Sequence, residues 1–134
     1  MLTDTNGIPV GLAIEGANTP DIKMVADTLQ SIPVVRPTPT EECPQHVCLD
    51  KGYDANWLRR SLRLWGFVPH IRSRGEEARH DPEKPARRWV VERTHSWINR
   101  SRRLLVRWEK KADNYLAMLH LSCALTVFRK LLLG

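Results

Sequence analysis

Two acidic residues, Asp50 and Glu92, have the type and placement that metal-dependent chemistry requires. Asp50 follows a short apolar run at 45–49, a predicted strand, and precedes Gly52. Ligands in α/β sheets bind beyond the carboxyl ends of strands, so an aspartate there can be a metal ligand. Aspartates also form turns and cap helices at such positions. Taken alone, the position of Asp50 leaves both interpretations open.

Glu92 lies in a predicted helix rich in arginine. At helical spacing one polar face contains this glutamate together with Arg88, Ser96, Asn99 and Arg103. The apolar stripe occupies another face, so Glu92 should point away from the core of its own helix. It is either a solvated glutamate paired with Arg88, four residues earlier, or a ligand among phosphate-binding arginines.

Together, the two carboxylates predict a site for a hard divalent cation. Mg²⁺ binds a few carboxylates and keeps several water ligands. Two such ions can hold the attacking and leaving oxygens of an in-line phosphoryl transfer. An aspartate at a strand end and a glutamate on a later helix can converge on such a site.

The elements that must position these residues alternate between strand and helix. Asn6-Gly7 is a strong turn signal between Leu2-Thr3 and the apolar stretch at 8–14, which predicts a β-hairpin. Further strands are predicted at 45–49 and 67–71, and helices at about 21–31, 54–65, 86–108 and 114–133. Charge and proline predict a loop at 73–85. Such alternation predicts an α/β layered fold, with 1–134 forming one domain.

Composition favours a polyanionic partner. The formal charge is +6 and the pI about 9.7, which puts nucleic acid first and an acidic membrane surface second. A basic surface without a special partner is the alternative. A run of basic residues lies in the second half of the long predicted helix and just after it: Arg100, Arg102, Arg103, Arg107, Lys110 and Lys111.

Other features indicate a reduced cytosolic protein. The chain has three cysteines, Cys43, Cys48 and Cys123, and an odd number of cysteines favours reduced thiols over a set of disulfide bonds. The N-terminal residues do not form a secretory leader. Cys43, His46 and Cys48 lie close together in the sequence, but they lack the second pair of ligands that a structural zinc site needs. The apolar stretch at 115–128 is shorter than the roughly 18 residues of a membrane span. It therefore predicts a buried helix.

Four segments closely resemble the catalytic domain of bacterial insertion-sequence transposases of the DDE class. They are GIPVGLAIEGANTPD at 7–21, LDKGYD at 49–54, HIRSRGEE at 70–77 and RRWVVERTHSWINRSRRLLVRWEKKADNYLAMLHLSCA at 87–124. The resemblance covers nearly the whole chain. It implies an RNase H-like fold, present here in part, with a mixed sheet, flanking helices and a helical C-terminus.

The resemblance also implies roles for residues. Asp50 matches the second catalytic carboxylate of the family and Glu92 the third, which makes both metal ligands. The implied cofactor is Mg²⁺, in a two-metal site expected only in the complete domain. The implied reaction is cleavage of DNA at the ends of the element, followed by strand transfer into target DNA. DNA contacts are expected from Arg88, Arg93, Arg100, Arg103 and Arg107.

Departures from the family pattern bear on activity. The family's first catalytic aspartate precedes the hairpin and has no counterpart here, since Asp4 lies in the hairpin turn. A family lysine falls at Asn99, with Arg100 as a substitute, and a family tyrosine falls at Pro85. We expect this chain alone to be inactive, as a truncated or frameshifted product. The alternatives are a non-catalytic module that binds DNA or the full-length transposase and inhibits it, or a relic without selected function.

The resemblance and composition together predict the setting. DNA is the expected partner, at the element ends and at the target. Self-association or association with a full-length transposase is expected as well, and a membrane is not. The expected location is the bacterial cytoplasm, at the nucleoid.

Overall fold

A computed structural model describes residues 1–73, 88–106 and 109–132, with only the backbone described at 88 and 89. The strands are β1 (Leu2–Thr3), β2 (Pro9–Gly11), β3 (Gln45–Leu49) and β4 (Phe67–Ile71). The helices are α1 (Val25–Gln30), α2 (Asn56–Leu64), α3 (Arg88–Asn99), α4 (Arg102–Leu105) and α5 (Ala112–Leu132). Two 3-10 turns, at Asp21–Met24 and Lys51–Tyr53, precede α1 and α2.

The fold is mixed α/β, as predicted, but the described strands form two small sheets instead of one. β1 and β2 are antiparallel and flank the predicted Asn6-Gly7 turn. β3 and β4 are parallel, in register from Gln45 opposite Phe67 to Leu49 opposite Ile71, and α2 is their crossover. The prediction of β3 and β4 is confirmed residue for residue. β2 is shorter than the predicted stretch.

The first core lies between α2 and the parallel sheet. Leu58 and Leu62 of α2 are fully buried and pack with Val47 of β3 and Ile71 of β4. Gly66, with φ of +82°, permits the sharp reversal from α2 into β4, a conformation that side chains with a Cβ disfavour. The β3–α2–β4 unit therefore builds most of its core from residues close in sequence, and α1 and β1 complete it.

The second core joins α3, α4 and α5 through Ile98, Leu104 and Leu119. The sequence predicts one helix to about 108, but α3 ends at Asn99 and Ser101 is extended, with ψ of 97°. The break turns the chain so that Leu104 enters the core, and the Ser101 hydroxyl lies 3.3 Å from that of Ser122. Packing thus overrides the continuous helical pattern.

The prediction that the last helix is buried is wrong. One face of α5 packs through Leu119 and Ser122, while apolar side chains on its other face, including Leu121, Leu125 and Phe128, are exposed. Among the elements described, α3, α4 and the hairpin make the main contacts with α5, all on one face, and its opposite face is exposed to solvent. By length and composition alone, this is the one helix among the described residues that could cross a membrane.

Candidate metal and nucleic-acid site

Asp50 ends β3 and begins the 3-10 turn at Lys51–Tyr53. Its carboxylate oxygen Oδ1 accepts the Lys51 N–H at 2.7 Å, and its carbonyl accepts the Tyr53 N–H at 2.9 Å. The residue is nevertheless exposed to solvent. Asp50 therefore forms the turn, as one interpretation of the sequence holds, and keeps the exposure that a ligand needs.

A neighbouring ion pair fixes this turn to the sheet. Arg59 donates to Asp54 Oδ1 from Nε at 3.1 Å and from Nη2 at 2.8 Å, and Nη2 also donates to the Ile71 carbonyl at 2.8 Å. Both side chains are 19% exposed, so the pair is shielded from water. The helix predicted to begin at about residue 54 begins at Asn56, and Ala55 is its N-cap, so Asp54 lies just before the helix. The pairing at five-residue spacing has no sequence signature of its own.

Glu92 occupies the exposed side of α3, as the pattern predicts. The opposite side contains Val90, Thr94 and Ile98, all buried. Trp97 is half-buried, with the Arg93 guanidinium 4.9 Å and the Lys130 ammonium 4.8 Å from its ring centroid. Such cation–π contacts are favourable at surfaces.

Two residues of α3 bind the hairpin turn. The Thr94 hydroxyl donates to the Gly7 carbonyl at 2.7 Å, and Arg93 Nη2 donates to the Asn6 carbonyl at 2.7 Å. We call these two hydrogen bonds the α3 anchor. They join residues 87 positions apart, so no local pattern in the sequence could have revealed them. Arg93 is also a predicted DNA contact, which stays a prediction.

A cleft of about 440 Å³ separates the two sheets. Its walls include Leu2 of β1, Val47 and Leu49 of β3, and Val91 and His95 of α3. Leu49 directly precedes Asp50, and Val91 directly precedes Glu92. Asp50 and Glu92 do not themselves line the cleft, but each directly follows, in the sequence, a residue that does.

Tyr53 and His95, which line the cleft, have shifted pKa values. Burial raises the pKa of Tyr53, and the negative charges of Asp21 and Asp50 raise it further. Burial lowers the pKa of His95, as does the nearby N-terminal ammonium. Because both shifts disfavour the charged form, a neutral phenol and a neutral imidazole line the cleft at neutral pH.

Within the described ranges, no three His, Cys, Asp or Glu side chains are grouped so that they could hold a metal ion. Carboxylate oxygens are the ligands that Mg²⁺ prefers, so the chemistry of Asp50 and Glu92 fits this ion. Cys43 and Cys48 are exposed thiols and Cys123 is half-buried against the second core.

The predicted DNA-contacting arginines are partly described. Arg100 and Arg103 are exposed. Arg103 Nη1 lies 3.7 Å from Glu109 Oε1, and its side chain is 67% exposed, so this pair contributes little to stability. The side chain of Arg88, and Arg107 with Trp108, lie outside the described residues.

Comparisons with known proteins place the chain in a family. The transposase DDE domain matches residues 1–127. A relative from Burkholderia cepacia, whose name describes it as a candidate transposase for insertion sequence element IS402, is 38% identical over 134 residues. That alignment covers 98% of this chain and 62% of the relative, so the chain spans less than two thirds of its relative's length. No solved structure matches. The chain therefore belongs to the transposase DDE domain family.

Proposed function

We propose that this chain supplies two metal-binding carboxylates, Asp50 and Glu92, to the RNase H-like catalytic domain of an insertion-sequence transposase. One observation supports this most strongly: Leu49 and Val91, the residues before these two carboxylates, line the same cleft. Membership of the transposase DDE domain family supports the reaction class, since this family uses divalent metal ions.

In this proposal, Asp50 and Glu92 hold Mg²⁺ through their carboxylate oxygens. The ion supplies charge neutralisation at the oxygens of the phosphodiester. Arg88 orients Glu92 or binds a phosphate, while exposed Arg100 and Arg103 bind the DNA backbone, and Arg93 and Arg107 add to this surface. The whole protein would cut DNA at the element ends and transfer the strand to target DNA, in the bacterial cytoplasm at the nucleoid.

We propose further that this chain alone does not catalyse the reaction. β1 belongs to one small sheet and β3 to the other, and their residues Leu2, Val47 and Leu49 face the cleft between them. A parallel pair such as β3–β4 is rarely stable with its strands uncovered. The residues on both sides of the cleft leave room for a further strand between the two sheets, and such a strand would carry the carboxylate that the family places first.

A second candidate function is a non-catalytic module that binds DNA or a full-length transposase and inhibits transposition. The +6 charge and the exposed arginines after α3 favour it, because phosphate contacts need neither the cleft nor the carboxylates. Asp50 and Glu92 would then be dispensable, which separates the two candidates.

The test is Mg²⁺- or Mn²⁺-dependent cutting of DNA that carries the element's terminal repeats. It compares this chain with a version extended upstream through the first family aspartate, and with Asp50→Asn and Glu92→Gln in that version. We expect cutting only by the extended protein, lost in either variant. A matched control is Glu42→Gln, an exposed glutamate outside the lining of the cleft, which should leave cutting unchanged. Full cutting by the Glu92→Gln variant would refute the site, and DNA binding without cutting by any version would support the second candidate.

A further inference from the structure

We infer that the α3 anchor positions Glu92: Thr94 and Arg93 fix the rotation and height of α3 against the hairpin turn, and thereby the direction in which Glu92 points. The inference rests on the proposed function for the role of Glu92. It makes Thr94, Arg93 and Gly7 positioning residues.

The hairpin turn has internal hydrogen bonds that do not involve α3. The Asp4 carboxylate Oδ1 accepts the N–H groups of Asn6 at 2.9 Å and Ile8 at 2.7 Å. The Asp4 N–H donates to the Ile8 carbonyl at 2.9 Å, and its carbonyl accepts the Gly7 N–H at 3.2 Å. Asp4 thus orders the loop whose Asn6 and Gly7 carbonyls accept from α3. This gives Asp4 a structural role that differs from that of a catalytic carboxylate.

Thr94 makes the central contact and is fully buried. A hydroxyl donates one hydrogen at a time, and two acceptors lie in reach: the Gly7 carbonyl at 2.7 Å and the Val90 carbonyl at 3.1 Å. The second contact is the local one that any helical threonine can make. The shorter one fixes the helix to another part of the chain, and its loss would leave a buried carbonyl unsatisfied.

Gly7 is fitted to this contact in two ways. Its φ of +81° lies in the left-handed region that side chains with a Cβ disfavour. A Cβ at this position would lie 3.0 Å from Thr94 Oγ1 and 3.1 Å from Arg93 Nη2. Hence only glycine lets the turn approach α3 this closely.

Helical geometry links the anchor to Glu92. Successive residues turn by about 100°, so Thr94 lies about 200° from Glu92, on the opposite side of the helix. Arg93 and Thr94 bind successive carbonyls, which resists both rotation and sliding of α3. A slip of one residue would turn Glu92 by about 100° and remove Val91 from the cleft wall.

The direct test measures the distance between α3 and α2 in this chain by pulsed electron paramagnetic resonance. Spin labels go on Ser96→Cys and Arg60→Cys, both exposed, in a background with the native cysteines replaced. Thr94→Val removes the hydroxyl and keeps the shape, and we expect a shifted or broadened distance distribution. Thr94→Ser keeps the hydroxyl and should restore the original distribution.

Thr126→Val is the matched control, because the Thr126 hydroxyl donates only to the Ser122 carbonyl of its own helix, at 2.9 Å. It should leave the distribution unchanged. If Thr94→Val unfolds the chain, Arg93→Met provides the second break in the anchor. An unchanged distribution in folded Thr94→Val or Arg93→Met would overturn the inference.

A second readout uses the extended, DNA-cutting version. Thr94→Val should raise the Mn²⁺ concentration for half-maximal cutting about tenfold or more, as loss of a group that orients a metal ligand does. Thr94→Ser should stay near the original value. Normal cutting by Glu92→Gln would refute the proposed function. The distance measurement would then be the test of whether the α3 anchor orients the helix. Loss of cutting in Glu92→Gln with an unchanged Mn²⁺ requirement in Thr94→Val would refute the positioning role itself.

Discussion

The two candidate carboxylates are held by different kinds of structure. Asp50 belongs to a β3–α2–β4 unit whose ion pair and most of whose core lie within residues 45–71, while β1, the first 3-10 turn and α1 complete the core. Glu92 lies on a helix whose orientation depends on hydrogen bonds to a turn 87 residues earlier. The comparison teaches that one half of the candidate site is set by local folding and the other by long-range packing. The halves should therefore fail separately when each is disturbed.

The largest effect should come from the core of the local half. Leu62→Ala removes a fully buried side chain and should lower the free energy of unfolding by about 2–5 kcal/mol. Leu64→Ala is the matched control on the same helix, 85% exposed, and should change it by less than about 0.5 kcal/mol. Urea denaturation measures both. Equal effects of the two substitutions would contradict the packing of α2 described above.

Breaking the long-range half at its turn should have the next largest effect. Gly7→Ala forces a Cβ into the left-handed region and against Thr94, and should cost about 1–3 kcal/mol. Gly16→Ala is the control, because a Cβ there meets nothing within 4 Å. Thermal unfolding should separate them, and hydrogen exchange should speed up in α3 more than in β3. A stable Gly7→Ala with unchanged exchange in α3 would show that the turn does not hold this helix.

The ion pair of the local half should matter somewhat less. Asp54→Asn keeps the shape of the side chain but removes its charge, and should cost about 1–2 kcal/mol. The exposed Glu42→Gln is the control and should be neutral. Denaturation curves give the stability, and amide chemical shifts should move at Ile71 and near Asp50. No shift at Ile71 would argue against the bridge that Arg59 makes between turn and strand.

The smallest effect concerns pH. Burial lowers the folded-state pKa of His95, so the unfolded chain binds this proton more tightly, and stability falls as pH drops through about 6.5. Above that range His95 contributes no pH dependence. His95→Gln should flatten the stability profile between about pH 5 and 7. An unchanged slope in His95→Gln would show that folding does not lower the pKa of this imidazole.

Much of the local half was predictable from the sequence. The bounds of β3 and β4, the helix between them and the turn at Gly66 follow from short apolar runs, helical spacing and glycine. The exposed side of α3 with Glu92 follows from the same spacing. These features depend on residues that are close in the sequence, and the spacing of apolar residues reflects how such residues are arranged.

The rest depends on contacts between distant segments. The break at Ser101 arises because Leu104 packs beside Ile98 and Leu119. One face of α5 is exposed because the elements described by the structure cover its other face. The Thr94 contact with Gly7 likewise joins segments that no local pattern relates. Sequence patterns describe which residues prefer burial, but they do not record how many partners are present to bury them.

The central claim is that Asp50 and Glu92 serve one metal-binding cleft, and Mn²⁺-induced line broadening in amide NMR spectra of this chain tests it most directly. At substoichiometric Mn²⁺, the account predicts broadening at 49–53 and at 91–95 together, and loss of both in Asp50→Asn. Broadening at one of these segments only, or broadening at 91–95 that persists in Asp50→Asn, would contradict a shared site.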